Sequence, residues 1–306
     1  MVRRIGRSKN GKERFIVKTL IIYHQRKGGH DCPDGLGAAW AATRKYPDSQ
    51  AIGWTYEAEC LPPIPDECDR IVVVDFSFPA KVLEQWRESV SEVIVIDHHK
   101  TAMDMLDGLS ARVLKYFDMD ECGATLAWKT FFPDEPVPVF LQYFRDRDLW
   151  CHELSFTREV HEAISNMRHK LRQQHYTYLP EIFALFDGLS KLSRDELTVM
   201  AIAVAGDKIA ELMEIERLIA QSWLYGVVGS YGVPVVYLKA DGAEDRHVSW
   251  AMHHLCTELR PEALFVACYT SSGTCELRSN KNNPAGGFDV GELAREMGGG
   301  GHRNAD

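Results

Sequence analysis

Arg70-Ile71-Val72-Val73-Val74-Asp75 and Val93-Ile94-Val95-Ile96-Asp97-His98-His99 decide how this chain folds. Each is a short, uninterrupted apolar run of strand length that ends abruptly in charged or imidazole side chains. Strands apolar on both faces belong to sheets covered on both sides, as parallel sheets are. Between the two runs, Ala80 to Ser89 places Val82, Leu83 and Trp86 on one side of a helix. Strand, helix and strand in that order make a parallel crossover unit.

The same alternation extends outward. Phe15 to Tyr23 reads as a buried strand, and a polar, glycine-containing stretch follows it, Gln25 to Gly35. Leu36 to Arg44, rich in alanine, reads as a helix opening after Asp34-Gly35, and Ala51 to Tyr56 as another strand. Three prolines in Leu61 to Pro65 make that segment a loop. The fold class is therefore α/β, with an N-terminal doubly wound parallel sheet over 15–150. From Gly123 to about Leu224 the pattern turns helical: Gly123 to Phe132, Val139 to Phe144 and a long Ser193 to Trp223. A helical connection is placed at 151–225. Strand signals return from Gly226, with Val227-Val228, Val235 to Leu238, Ala263 to Tyr269 and Thr274 to Arg278 around a helix over Ser249 to Glu258. Val290 to Met297 reads as a closing helix before the glycine run 298–301. A smaller α/β domain is thus expected at 226–306.

Composition narrows the function classes. The chain has 306 residues, so two domains are expected. With 35 Lys and Arg against 44 Asp and Glu, the net charge is −9, unfavourable for generic binding of long duplex DNA. The N-terminus is basic (Arg3, Arg4, Arg7) but no apolar core of signal-peptide length follows it, and no apolar run reaches membrane-spanning length. Eight cysteines are scattered without a CxxC pair, which reads as reduced thiols and a cytoplasmic protein.

In a doubly wound sheet, ligands bind at the carboxyl ends of the strands. Three strands here end in groups that suit metals: His24 followed by His30-Asp31-Cys32-Pro33-Asp34-Gly35, then Asp75, then Asp97-His98-His99. Arg145-Asp146-Arg147-Asp148 follows a short apolar helix. Carboxylates with imidazoles suit Mn²⁺, Mg²⁺ or Zn²⁺, and two such ions can activate water against a phosphate ester. Each piece alone has an ordinary alternative: a strand-end Asp as a turn or helix cap, Asp146 and Asp148 as a solvated salt-bridge patch. Their coincidence at successive strand ends favours a site.

These motifs resemble the DHH phosphoesterase superfamily, whose name-giving triplet stands here as Asp97-His98-His99. Further motifs match at His30-Asp31-Cys32-Pro33-Asp34-Gly35, Val73-Val74-Asp75-Phe76-Ser77 and Arg145-Asp146-Arg147-Asp148-Leu149-Trp150. The C-terminal part resembles the DHH-associated substrate domain through Leu277-Arg278-Ser279 and Gly299-Gly300-Gly301-His302-Arg303-Asn304, a pattern that in the family continues into a further strand. The resemblance implies a two-ion centre served by Mn²⁺, with Mg²⁺ as the other choice. Asp75 would be shared by both ions, and His98, Asp34 and Asp146 (Asp148 as the fallback) would be ligands. His99 would lie toward the scissile phosphate, and Asp97 would orient the histidines. Arg278, Gly299, Gly300, Gly301, His302 and Arg303 would bind substrate; glycine amides and arginine are suited to anions. The first motif departs from the family pattern. Cys32 stands where an Asp is expected, or else Asp34 is the first Asp and Leu36 stands at the second. Either His24 or His30 is the histidine, and Asp31 or Cys32 could complete the set.

The implied activity is hydrolysis of short single-stranded RNA or DNA, or of dinucleotides, by metal-activated water, as in exonucleases and oligoribonucleases. The alternatives are an inorganic pyrophosphatase or polyphosphatase, and a nucleotide-binding protein with a degenerate metal site. A homodimer is compatible with the sequence, and a membrane association is not expected.

Overall fold

The computed structural model describes residues 18–299, apart from 27–28, 57, 59, 175–177, 239–246, 272, 281 and 284–286. The basic N-terminal residues, and Gly300, Gly301, His302 and Arg303, lie outside the described residues. Two compact units divide after Met200.

The first unit is built on a parallel sheet of β1 (Thr19–Arg26), β3 (Ser49–Trp54), β4 (Arg70–Val74), β5 (Glu92–Asp97) and β6 (Leu114–Phe117), in the order β3-β1-β4-β5-β6. A two-residue strand, β2 (His30–Asp31), pairs antiparallel with the end of β1. α1 (Pro33–Lys45), α2 (Ala80–Ser89), α3 (Lys100–Met105), α4 (Gly123–Phe131) and α5 (Val139–Asp148) surround it. Alternate residues of each strand face opposite sides. Leu20, Ile22, Ile71, Val73, Val93 and Val95 form one core with Leu83 and Trp86 of α2. Ile21, Val72, Val74, Ile94 and Ile96 are buried on the other face, where α1 packs on β1 and β4 and α4 packs on β4 and β5. The alanine-rich reading of α1 has a physical purpose: Ala38, Ala39, Ala41 and Ala42 are fully buried, letting the helix lie close between sheet and α4. Trp40 stacks on Trp128 at 5.3 Å and donates to Asp187 of α7 (Leu179–Leu189).

The chain leaves β1 to one side to make β3, then returns past β1 to make β4 on its other side. The β1–β4 boundary is therefore the topological switch point, where open α/β sheets hold ligands. Helices α3 and strand β6 have no counterpart in the sequence reading: α3 spans six residues, and β6 is largely exposed and lacks an apolar run.

The stretch read as a connection holds α6 (Thr157–Gln174), α7 and α8 (Arg194–Gln221); the division into units falls within α8. In the second unit β7 (Leu224–Val228), β8 (Tyr231–Tyr237), β9 (Val266–Tyr269) and β10 (Cys275–Arg278) form a sheet ordered β10-β9-β8-β7. Only β8 and β9 run parallel among these pairs. Val236, Val266 and Cys268 pack against α9 (Val248–His254), its π-helical continuation Leu255–Leu259, and the end of α8. Val235, Ala267 and Leu277 pack against Val290, Leu293 and Ala294 of α10 (Val290–Glu296). The α/β class of both units follows the sequence reading. Among the described residues no helix is long and apolar enough to cross a membrane.

Candidate metal centre

Four elements deliver one side chain group each to the switch point. His24 stands near the end of β1, Asp75 directly follows β4, Asp97 ends β5 and is followed by His98 and His99, and Cys32 and Asp34 open α1. Close approach is enforced by two glycines. A Cβ on Gly35 would stand 2.3 Å from the His24 carbonyl oxygen, and one on Gly123 would stand 2.5 Å from Asp75 Cβ. Asp75 itself adopts a left-handed backbone, φ 55°, which costs a non-glycine residue on the order of 1 kcal/mol. Its N–H still donates to Ile96 O at 2.9 Å, so the sheet holds the turn in place while the side chain swings into the site.

The Asp75 carboxylate sits between two groups of potential ligands. Its Oδ1 is 3.1 Å from His98 Nε2. Its Oδ2 is 3.5 Å from His24 Nδ1 and 3.6 Å from Cys32 Sγ. On the His98 side, Asp34 Oδ2 and Asp148 Oδ2 lie 3.5 and 3.7 Å from the same Nε2. Within each of the triads His24–Cys32–Asp75 and Asp34–His98–Asp148, one ligand atom per residue lies within 4.8 Å of the others. Asp97 lies behind them. Its Oδ1 accepts from the His98 and His99 amides and meets His99 Nδ1 at 2.8 Å, while its Oδ2 accepts from Ser77 Oγ at 2.6 Å. Asp97 thus holds the His99 ring and the His98 backbone. Ser77, to which the sequence reading gave no role, fixes Asp97 in turn.

The electrostatics fit a cation. Burial pushes the Asp34 carboxyl well above its ordinary pKa, and the neighbouring Asp75 and Asp148 charges push it further, against His98. Burial acts the same way on Asp75, but the neighbouring His24 and His98 imidazoles hold it well below the carboxylate range. Burial disfavours a charged His98, yet Asp75 and the charges of Asp148 and Asp34 raise it to about 10. His24 is raised to about 11, Asp75 and Cys32 outweighing burial. Protons are thus drawn onto the imidazoles to neutralise crowded carboxylates, the service a divalent ion would perform. His24 Nδ1 is buried without a hydrogen bond. Oxygen, nitrogen and sulfur donors together fit divalent metals, so the residues present suit the ions that the motif pattern implies.

The structure brings some of the candidate residues together at the cluster and places others away from it. His24 is at the cluster; His30 is exposed and pairs through its backbone with Arg26. Asp31 accepts from Tyr178 Oη at 2.9 Å and faces Arg172. Asp146, expected as a ligand, is instead buried in a hydrogen-bonded fold role: it accepts from the Glu153 amide at 2.8 Å, the Leu154 amide and Thr157 Oγ1. Asp148 stands with His98 in its place. Asp34 both faces His98 and accepts from the first two amides of α4, Gly123 at 2.6 Å and Ala124 at 2.8 Å. In the second unit, Arg278 is buried, and its charge acts on Cys256, whose thiol burial raises to about 12. Gly299 closes α10: Gly298 is left-handed, φ 87°, and the Gly299 amide donates to Ala294 O at 2.8 Å, the closing bond of a Schellman cap.

A narrow cavity adjoins the cluster. Its lining includes Cys32, Asp34 and Asp148 from the cluster together with Arg26, Arg147 and His161. Burial, followed by the charges of Arg147, Arg168 and Arg26, holds the His161 pKa well below its ordinary value. Of these three only Arg147 lies within a sequence motif; Arg26 and His161 come from β1 and α6.

No protein-family model matches the chain. An uncharacterised protein of Acanthamoeba polyphaga mimivirus is 26% identical over 238 residues, 77% of this chain and 52% of that protein. The chain therefore spans about half the length of this curated relative. Among solved structures, the DHH domain of a protein described as a member of the s1p family of ribosomal proteins superposes with a TM-score of 0.54. The match covers 94% of this chain and 82% of that one at 10% identity.

Proposed function

Because the chain has the fold of a DHH domain, we propose that it is a metal-dependent phosphodiesterase acting on short oligonucleotides or dinucleotides. The observation that carries this reading is the Asp75 carboxylate set between two ligand triads. His24, Cys32 and Asp75 would hold one divalent ion, and Asp34, His98 and Asp148, with Asp75, the other. Mn²⁺ is the ion proposed for the oxygen-rich triad. Bound divalent ions supply an activated water and charge neutralisation at a phosphate ester.

The protein's own groups then have assignable tasks. Arg26 and Arg147, on the cavity that adjoins the cluster, would set positive charge near the substrate's phosphate, while the His161 imidazole beside them stays neutral. Asp97 holds His99 by Nδ1, so Nε2 is the ring atom that can meet a phosphate oxygen. Ser77 and the backbone bonds to Asp97 keep that ring from turning. Arg278, Gly299, Gly300, Gly301, His302 and Arg303 are proposed to bind the nucleotide. A net charge of −9 favours short substrates over long duplexes.

The test is hydrolysis of a labelled RNA of a few nucleotides by the purified chain with Mn²⁺. A parallel reaction contains pyrophosphate, and His98→Ala serves as control. Release of mononucleotides that the variant loses supports the proposal. Phosphate release from pyrophosphate alone replaces it with a pyrophosphatase. No turnover of either substrate, with no metal retained, overturns it in favour of a binding protein.

A further inference from the structure

We infer that Cys32 is a metal ligand, and that its thiolate makes one half of the centre select a borderline ion such as Zn²⁺ or Co²⁺ over Mg²⁺. The inference rests on the metal-site reading above and goes beyond it, giving the centre two chemically unequal halves on either side of Asp75.

Three observations carry it. The first is the use of the thiol. Cys32 is the N-cap of α1, where a side chain ordinarily accepts from the first helical amides, yet it makes no capping bond. Sγ is turned instead toward Asp75 Oδ2, 3.6 Å away, and Cys32 is 7% exposed. The second is spacing. Ligands bonded at zinc-like lengths of about 2.0–2.3 Å around a tetrahedral ion stand about 3.3–3.5 Å apart. The Cys32–Asp75 and His24–Asp75 separations are 3.6 and 3.5 Å. The third is the lack of a rival. Asp31, the nearby carboxylate that could have served, is occupied by Tyr178 and Arg172, and His24 Nδ1 is buried beside Asp75 without a hydrogen bond.

Sulfur, nitrogen and oxygen from Cys32, His24 and Asp75 form a donor set of zinc type, whereas the Asp34–His98–Asp148 triad offers mostly oxygen, which suits Mn²⁺ or Mg²⁺. Binding forms a metal–sulfur bond and breaks the S–H bond, and the proton leaves to solvent.

The experiment is a Co²⁺ titration of the metal-stripped full chain, followed by absorption. A thiolate-to-cobalt charge-transfer band in the near ultraviolet is expected. Cys32→Ser and Cys32→Asp should abolish the band, while Cys122→Ala, at the buried thiol near Asp34, should keep it. Serine and aspartate are favoured N-cap residues, so both Cys32 variants are expected to retain α1, verified by circular dichroism. In competition, Cys32→Asp should lower the preference for Zn²⁺ over Mn²⁺ by about tenfold or more. Bound cobalt without the band in the wild type, or a band that survives in Cys32→Ser, overturns the inference while the metal-site reading stands. Failure of the wild type to bind any Co²⁺ or Mn²⁺ overturns both.

Discussion

Replacing Gly35 by alanine should damage the metal centre far more than the fold. The added methyl carbon would stand 2.3 Å from His24 O, 3.1 Å from His24 C and 3.3 Å from Asp75 Oδ2. Ordinary contact begins about 1 Å farther out, and the two shortest contacts are to backbone, which cannot rotate away. The start of α1 must therefore move off the end of β1 by roughly that distance, carrying Cys32 and Asp34 with it. Overpacking of this kind costs about 1–3 kcal/mol, of which alanine's better helix propensity returns at most about 1 kcal/mol. A 1 Å misplacement of catalytic geometry can cost about 100-fold in rate. The expected result is a loss of about 1–2 kcal/mol in urea denaturation, with hydrolysis reduced about 100-fold and weaker metal retention. Gly188→Ala in α7 is the control, since nothing lies within 4 Å of its would-be Cβ; it should leave activity unchanged. If Gly35→Ala keeps metal affinity and rate within about twofold of wild type, the close-approach argument is wrong.

Asp148→Asn should weaken metal binding with little change in stability. Asp146→Asn should do the reverse, costing about 1–3 kcal/mol because a buried carboxylate with three donors is impaired; equal effects on metal binding would refute the assignment. Ser77→Ala should lower the rate by loosening Asp97 and His99 while metal content stays at the wild-type value, as read by elemental analysis. The metal-free chain should lose thermal stability as pH rises. His98 and His24 have folded pKa values raised to about 10 and about 11 against 6.5 unfolded, so their contribution is full below about 6.5 and lost as pH rises toward 10 and beyond. Saturating metal, which replaces those protons, should flatten the dependence; a metal-free melting temperature that rises over this range would contradict the pairing with Asp75.

Much of this arrangement is legible in the residues themselves. β4 and β5 are uniform apolar runs, and their abrupt ends mark Asp75 and Asp97-His98-His99 because a buried sheet admits charge only beyond its strands. What misleads is position around a helix. Asp146 and Asp148 are two residues apart, which at 100° per residue puts them about 160° apart around α5, so they cannot share one site. Asp148 continues the row Leu141–Phe144 that faces the core, a spacing visible in the sequence once α5 is known to run to Asp148. His24 and His30 differ only in tertiary placement: β2 carries His30 to the exposed end of β1. Arg26 and His161 reach the cavity beside Arg147 from β1 and α6 and leave no local pattern. In the second unit, Gly298 and Gly299 read as a phosphate nest, yet they also terminate α10, an ordinary use of glycine after a helix.

Asp34 touches both His98 and the start of α4. That double engagement makes the centre preorganised. Two amides anchor the carboxylate from a helix almost ninety positions further along the chain, so its direction is set when the sheet and α4 pack, before any ion arrives. Small domains whose ligands sit on otherwise unsupported loops depend on the metal to fold. Here the dependence runs the other way: the folded scaffold creates the ligand geometry, and an incoming ion has little reorganisation to impose.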